Sequence, residues 1–205
     1  MNVYVESNFV LEQALEQEQC ESCEELLRIA ATGSIRLVIP AFSLAEPHIT
    51  LMHKQNERSR LSAELQKQLS ELGRSKPYRE ASSSFSELTA LLIGSAEREG
   101  AGLQGAVDGM LKAAEVIPLD SDVFYQAAGI QVALDMSVQD SIVLASVLRH
   151  LVRTGPPESC FLNRNTKDFD DPNVREMLDE FGCKFFGRFD HGLRYINARL
   201  RKAGQ

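Results

Sequence analysis

The chain lacks tryptophan altogether, and only 7% of its 205 residues are aromatic. It also lacks any apolar run near the ~18 residues that a membrane span requires, and no basic segment followed by a long apolar core stands at the N-terminus. We therefore expect a cytoplasmic protein that makes no use of a membrane. With 43% hydrophobic and 25% charged residues, the composition is ordinary for a soluble chain with one well-buried core.

Cysteine is scarce as well. Four cysteines without a secretory signal favour reduced thiols over a disulfide framework. Cys20 and Cys23 have CxxC spacing, but no second CxxC or HxxxH pair supplies the further ligands that zinc needs. The glutamates around them disfavour a reactive thiolate, because nearby negative charge raises a thiol pKa. The sequence therefore predicts structural cysteines.

Several common catalytic motifs are missing. The sequence has no GxSxG elbow and no phosphate-binding glycine loop, and none of its four histidines has a partner at metal or triad spacing. The net charge of −7 disfavours tight non-specific binding of nucleic acid, which depends on phosphate neutralisation. It does not exclude an enzyme whose acids surround a metal ion, because a bound cation inverts the local field.

Strand and helix patterns alternate along the chain. Apolar runs at 3–5, 35–39 and 159–163 predict three buried strands, and 116–119 and 184–186 predict two shorter ones. Helical spacing predicts helices at 8–15, 20–31, 41–72, 121–134, 138–152, 173–181 and 190–201, and two more within 85–115 that are broken near 100–102. Residues 73–84 read as a polar loop. This order predicts an α/β fold with helices around a small parallel sheet.

Four acids stand where the pattern places strand ends or helix starts. Glu6 follows the first strand, Glu46 opens the helix after the second, Asp140 opens a later helix, and Asp168 follows the 159–163 strand. The carboxyl ends of parallel strands lie at one edge of a sheet, so these groups can converge there. Carboxylates held together repel, and a cation makes their convergence favourable; oxygen ligands without clustered His or Cys suit Mg²⁺ or Mn²⁺.

Each acid also has a purely structural interpretation. Glu46 follows Ser43, and Asp140 follows Ser137, at the spacing of a helix capping box. Ser121 or Asp122 is expected to cap the helix at 121–134. The acids of 168–171 can simply form a turn before a proline. Both interpretations stay open from the residues alone.

Four stretches together resemble the PIN-domain ribonucleases, a family that includes the toxin subunits of bacterial toxin–antitoxin pairs. They occur in the family's order from end to end of the chain: Val3-Tyr-Val-Glu-Ser-Asn-Phe-Val10, Ile39-Pro-Ala-Phe-Ser-Leu-Ala-Glu46, Asp140-Ser-Ile-Val-Leu-Ala145 and Phe161-Leu-Asn-Arg-Asn-Thr-Lys-Asp-Phe169. The resemblance implies a single PIN-like domain over 1–205, a three-layer α/β/α sandwich with a small central parallel sheet and a helical insertion at about 54–114.

The resemblance further implies a metal-dependent endoribonuclease that uses Mg²⁺ or Mn²⁺ on an RNA substrate. Its acidic site would consist of Glu6, Glu46, Asp140 and Asp168, and Asn8 would support the first acid. Two positions depart from the family pattern. Glu6 replaces the usual Asp, which bears on Mg²⁺ because that ion demands near-ideal octahedral geometry. Asn165 stands where the family commonly has Asp, so Asp168 takes that role, with Asp171 as its alternative.

Other functions and partners follow from the same features. Arg164 and Lys167, beside the expected site, are candidates for RNA phosphate contacts or are solvated turn charges. The charged helix at 54–72 suggests a partner surface, for a homodimer or for a small antitoxin-like protein. The alternatives to a ribonuclease are a catalytically inactive PIN-fold binding or regulatory module and a metal-dependent hydrolase of a small phosphoester.

Overall fold

Five parallel strands form the central sheet. The structure, a computed structural model, describes residues 1–79 and 86–203, with residues 86–89 and 203 by their backbone alone. The strands are β1 (Asn2–Val5), β2 (Arg36–Pro40), β3 (Ala114–Ile117), β4 (Ser159–Leu162) and β5 (Cys183–Phe186). Their order is β3-β2-β1-β4-β5, and every neighbouring pair is parallel, so β1 lies at the centre.

Helices connect the strands and cover the sheet. In the described part of the chain they are α1 (Ser7–Ala14), α2 (Cys20–Ala31), α3 (Ala41–Gly73), α4 (Ser86–Ala113), α5 (Ser121–Leu134), α6 (Val138–Thr154), α7 (Thr166–Phe169), α8 (Pro172–Asp179) and α9 (Phe189–Ala203). A short 3-10 helix, Lys76–Tyr78, lies in the predicted polar loop, and residues 80–84 of that loop lie outside the described residues.

The sheet separates two hydrophobic cores. Successive strand residues point to opposite faces. Val3 and Val5 pack on one side with apolar residues of α1, α2, α4 and α9, whereas Tyr4 and Phe161 pack on the other with α5, α6 and α8. Every residue of β1 is buried, because both faces are covered. The predicted three-layer α/β/α sandwich is therefore confirmed.

The predicted helix break at 100–102 is wrong. Helix α4 is continuous through Gly100 and Gly102. A Cβ at Gly102 would lie 2.3 Å from the carbonyl oxygen of Ala14, so the glycine allows α4 to approach the backbone of α1. Around Gly100 nothing lies within 4 Å of the same added atom. Of the two glycines whose sequence pattern predicted a helix break, Gly102 thus lies at a close helix–helix contact.

Two predicted helix caps need correction. The cap of α5 is Asp120, not Ser121 or Asp122, and its Oδ1 accepts a hydrogen bond from the N–H of Val123 at 3.0 Å. Helix α3 begins at Ala41, directly after β2, so Ser43 lies inside its first turn and cannot form the predicted capping box with Glu46. The side chain of Glu46 is thereby left for another role.

Helices α3 and α4 pack against each other along part of the predicted insertion. Gln55 Nε2 donates to the carbonyl of Ala96 at 3.1 Å, and Arg58 contacts both Ser95 and Glu99. The end of α4 nearest β3 reaches the core, where Leu103 and Met110 are buried. The interpretation of 54–114 as an insertion into a single domain stays a prediction.

The cysteines are free and mostly buried. Cys23, Cys160 and Cys183 lie in the two cores, and Cys20 is half-buried. Burial raises the pKa of Cys23, and the nearby Cys20 and Glu24 add to the rise. These surroundings favour the structural interpretation of the CxxC pair.

As for membrane spans, no single helix among the described residues combines the required length with the required apolar content. In the same part of the chain, α5 and α6 taken together, across a bend of 118°, meet such a test.

Candidate acidic active site

A polar cavity of about 550 Å³ opens at the carboxyl end of the sheet. It is bounded by the segment that follows β1, by the first turns of α3 and α6, and by the loop after β4. Side chains from these four segments line it: Glu6, Ser7, Asn8, Leu11, Glu12, Gln17, Glu46, Thr50, Ser137, Gln139, Asp140, Val143, Arg164 and Asn165. Three of the four predicted acids, and both predicted supporting asparagines, therefore line one cavity.

Glu6 is a buried carboxylic acid with an unsatisfied oxygen. It directly follows β1 and stands at the N-cap position of α1, but its side chain makes no cap hydrogen bond. Oε2 accepts a 2.5 Å hydrogen bond from the hydroxyl of Ser7, whereas Oε1 is buried without any hydrogen-bond partner among the described residues. Burial raises the pKa of Glu6 from 4.5 to about 7, and the charge of Glu46 adds to the rise.

Glu46 lies one and a half turns into α3 and faces the same cavity. Burial raises its pKa, the Ser7 hydroxyl lowers it in part, and the negative charge of Asp140 raises it further. The carboxylates of Glu6, Glu46 and Asp140 thus repel one another across the cavity, which is the electrostatic arrangement that a bound cation relieves.

Asp140 is held by hydrogen bonds to both of its oxygens. The hydroxyl of Ser137 donates to Oδ2 at 2.6 Å, and the side-chain amide of Asn165 donates to Oδ1 at 3.1 Å. Ser137 also accepts from the N–H of Asp140 at 3.1 Å, so it caps α6 as predicted. Asn165, where the resembled family commonly has an acid, therefore orients Asp140 through a hydrogen bond.

Asn163 is a buried residue that the sequence analysis did not place in the site. It is 1% exposed, and its Oδ1 accepts from the N–H of Asn165 at 2.8 Å and from the side chain of Asn8 at 3.4 Å. It connects the loop after β4 to the segment after β1. The sequence signal that could have identified Asn163 is its position directly after a buried strand, since Glu6 has the same position after β1.

Arg164 and Glu12 form a second group, of which only Arg164 was predicted from the sequence. Arg164 lines the cavity, and its guanidinium forms ion pairs with Glu12 and with Glu18, the latter at 2.9 Å. Glu12 also accepts from the N–H of Gln19 at 2.9 Å. Arg164 was predicted as a phosphate contact, whereas Glu12 reads in the sequence as one more charge on an amphipathic helix.

The remaining predicted residues lie outside this lining. Asp168 is half-buried in α7, and Lys167 beside it is exposed. Asp171 caps α8, where its Oδ1 accepts from the N–H of Asn173 at 2.8 Å. The structure thus brings together Glu6, Glu46 and Asp140, and it does not bring Asp168 or Asp171 into the cavity with them.

The fit of a divalent cation depends on donor chemistry. Across residues 1–79 and 86–203, no group of three or more His, Cys, Asp or Glu side chains is arranged to hold a metal ion. The cavity nevertheless supplies three carboxylates besides Glu12, which pairs with Arg164, and one of the three, Glu6, has a buried oxygen without a hydrogen-bond donor; carboxylate oxygens are the hard ligands that Mg²⁺ and Mn²⁺ prefer. The residues therefore fit such an ion in kind, without forming a finished coordination sphere.

Comparison of the chain with models of known protein families and with curated proteins finds no match. The functional assignment therefore depends on the cavity and on the sequence motifs that lead into it.

Proposed function

We propose that the chain is a metal-dependent endoribonuclease of the PIN type, which hydrolyses phosphodiester bonds of RNA at the acidic cavity. One observation carries this proposal. Glu6, Glu46 and Asp140 come from three separate elements to line one cavity at the carboxyl edge of a parallel sheet, and Glu6 is buried there with an unpaired oxygen. Buried acids such as Glu6 and Glu46, whose pKa values are raised by burial and by a neighbouring acid in a cleft, are typical of functional sites.

The three carboxylates would hold a Mg²⁺ or Mn²⁺ ion, which when bound supplies charge neutralisation at the phosphate and a more acidic water. Ser137 and Asn165 keep Asp140 in one orientation through hydrogen bonds. Glu6, with a pKa of about 7, must release its proton before it can act as a ligand, so we expect cation affinity to rise with pH through neutrality.

We favour RNA over a small substrate because Arg164, a cation in the loop after β4, lines the cavity together with the acids. A hydrolase of a small phosphoester is the second candidate, since a cavity of about 550 Å³ lies within the range of small-molecule sites. A chromogenic phosphodiester tested beside RNA separates the two candidates.

The deciding experiment compares cleavage of a mixed panel of single-stranded and structured RNAs in Mn²⁺, Mg²⁺ or EDTA. Asp140→Asn is expected to lose more than about a hundredfold in rate, because even changes one shell outside a metal typically cost 10–100-fold. The control is Asp179→Asn, the same chemical change at an exposed residue at the end of α8, which should leave the rate unchanged.

Calorimetric titration with Mn²⁺ complements the cleavage assay by measuring ion binding directly. Metal-dependent cleavage that Asp140→Asn abolishes and Asp179→Asn retains supports the proposal. Ion binding without cleavage of RNA, but with turnover of the chromogenic phosphodiester, moves the function to the second candidate. Absence of both cleavage and ion binding leaves a PIN-like binding or regulatory module.

A partner surface on the long charged helix remains part of the proposal. Leu61 and Leu72 of α3 are 53% and 48% exposed, which supports the predicted contact with a second copy or with a small antitoxin-like protein. The mass of the protein in solution, measured alone by light scattering, tests the first of these.

A further inference from the structure

An ion pair between a buried glutamate and a partly exposed arginine forms part of the cavity wall. Glu12, in α1, is 1% exposed, and its Oε1 lies against Nη1 of Arg164 in the loop after β4. Its other oxygen, Oε2, accepts the N–H of Gln19 at 2.9 Å. Oε2 of Glu12 therefore accepts a backbone hydrogen bond, whereas Oε1 is in the ion pair with Arg164 and has no hydrogen bond among the described residues. The pairing fixes one end of the Arg164 guanidinium against the body of the protein.

The other end of the Arg164 guanidinium has a very different partner. Nη2 lies 2.9 Å from Oε1 of Glu18, whose side chain is 63% exposed. Exposed ion pairs contribute little, whereas separating a buried pair leaves an uncompensated charge inside the protein. Glu18 is consequently the partner that Arg164 can exchange, and Glu12 is the partner that it keeps.

Arg164 is also the one cation among the described residues that line the cavity. The same lining carries Glu6, Glu46 and Asp140, which repel an approaching phosphate. A guanidinium has five N–H donors in a rigid planar fork that matches a phosphate, so two carboxylate partners leave donors for a third group. The cavity thus offers one fixed point of attraction to a polyanion.

We infer that Glu12 is a positioning residue, which holds Arg164 in place to bind a backbone phosphate of a single-stranded RNA, and that Glu18 is displaced from Arg164 when the RNA binds. The inference deepens the proposed function and rests on it for the choice of RNA as the ligand. It predicts different effects on RNA affinity for substitutions of Glu12 and Glu18, two glutamates that contact the same arginine.

The test measures the affinity of a fluorescein-labelled single-stranded RNA by anisotropy in Mn²⁺, at salt concentrations between about 50 and 200 mM. Every protein carries Asp140→Asn, so that the RNA stays intact. Glu12→Gln should weaken binding by roughly tenfold, the size of one charge-assisted hydrogen bond. It should also reduce the slope of log affinity against log salt by about 0.7, the value for one phosphate contact to a single strand.

Glu18→Gln is the matched control, because it makes the same chemical change in the exposed partner. It should leave the salt slope unchanged and bind RNA equally well or more tightly, since it removes a competitor of the phosphate. Arg164→Gln should reproduce the loss seen in Glu12→Gln. The double variant Glu12→Gln/Arg164→Gln should lose no more than Arg164→Gln alone, because Glu12 acts only through Arg164.

Three results would overturn the inference: an unchanged salt slope in Glu12→Gln, an equal loss of affinity in Glu18→Gln, or no RNA binding by the parent protein. Circular dichroism checks that each variant is folded; if Glu12→Gln is not, the slopes of Glu18→Gln and Arg164→Gln decide. RNA cleavage by the wild-type chain is measured separately. If RNA is cleaved but the salt slope of Glu12→Gln is unaltered, the proposed function is retained and the role of Glu12 is rejected. If the salt slope is altered but RNA is not cleaved, the role of Glu12 is retained and the proposed function is rejected.

Discussion

Glu6 should make the folded chain less stable at neutral and alkaline pH, so Glu6→Gln should stabilise it. The carboxyl group is 5% exposed, and one of its oxygens is buried without a hydrogen-bond donor from any described residue. An ionised group in that position has lost its water without full compensation. Glutamine keeps the shape and the hydrogen bond from Ser7 while it removes the charge.

The magnitude follows from the pKa. Burial raises the pKa of Glu6 from 4.5 to about 7, so ionisation costs more in the folded state than in the unfolded state. Below about pH 4.5 the group holds its proton in both states and the penalty is absent; it grows between pH 4.5 and 7 and is constant above that. At 1.36 kcal/mol for each unit of pKa, the full penalty is about 3 kcal/mol.

The assay is urea unfolding of wild type and Glu6→Gln in EDTA at several pH values between about 5 and 8. The difference in the free energy of unfolding should be below about 1 kcal/mol at pH 5 and should approach 3 kcal/mol in favour of Glu6→Gln at about pH 8. Taking the difference cancels the shared titrating groups that do not interact with Glu6; Glu46, whose charge raises the pKa of Glu6, remains coupled to it. Glu12→Gln provides the contrast, because it removes an ion-pair partner of Arg164 and should destabilise the chain instead.

The reasoning would be refuted if Glu6→Gln were less stable than wild type at pH 8. A gain that stayed constant from pH 5 to pH 8 would also refute it, since that would point to packing instead of ionisation. Either result would mean that the charge of ionised Glu6 is compensated by another group in the folded protein.

Two further predictions concern the glycines of α4 and the loop after β4. Gly102→Ala should lower stability by about 1–3 kcal/mol, because its Cβ would meet the backbone oxygen of Ala14, whereas Gly100→Ala should raise it by about 0.5–1 kcal/mol through helix propensity; urea midpoints measure both. If RNA cleavage is observed, Asn165→Ala should slow it about tenfold by releasing Asp140, while Asp168→Asn, outside the cavity lining, should leave the rate within about twofold.

Much of the fold was predictable because local and global signals agree. The apolar runs that became β1, β2 and β4 are buried on both faces of a parallel sheet, so each reads as a continuous hydrophobic segment. The convergence of Glu6, Glu46 and Asp140 was predictable for a related reason, since parallel strands place their carboxyl ends at one edge. The strand order β3-β2-β1-β4-β5 could not be predicted, because several right-handed arrangements satisfy the same alternation.

What escaped the sequence analysis depends on contacts between distant segments. Gly102 looks like a helix breaker until the backbone of Ala14 is seen against it. Glu12 looks like a surface charge of α1, because its burial is compensated by Arg164, far away along the chain. Asn163 likewise gains its role only when β4 lies beside β1. Periodicity cannot reveal such partners, since each is defined by tertiary packing.

The two buried glutamates of this cavity, Glu6 and Glu12, have different electrostatic surroundings, and the difference bears on function. Glu12 has a cation from the chain itself, Arg164, and a backbone donor for its second oxygen. Glu6, within two turns of the same segment, is compensated only in part by the donors of Ser7 and Asn8, which lower its pKa, and has no cation from the described residues; it lies near a second and a third acid. The fold thus supplies a cation to one buried carboxylate of this cavity but leaves the other beside like charges, which violates the rule that buried charges are paired. Such violations are expected at functional sites, where the missing charge comes from a ligand. That asymmetry, more than the number of acids, supports a divalent cation at Glu6.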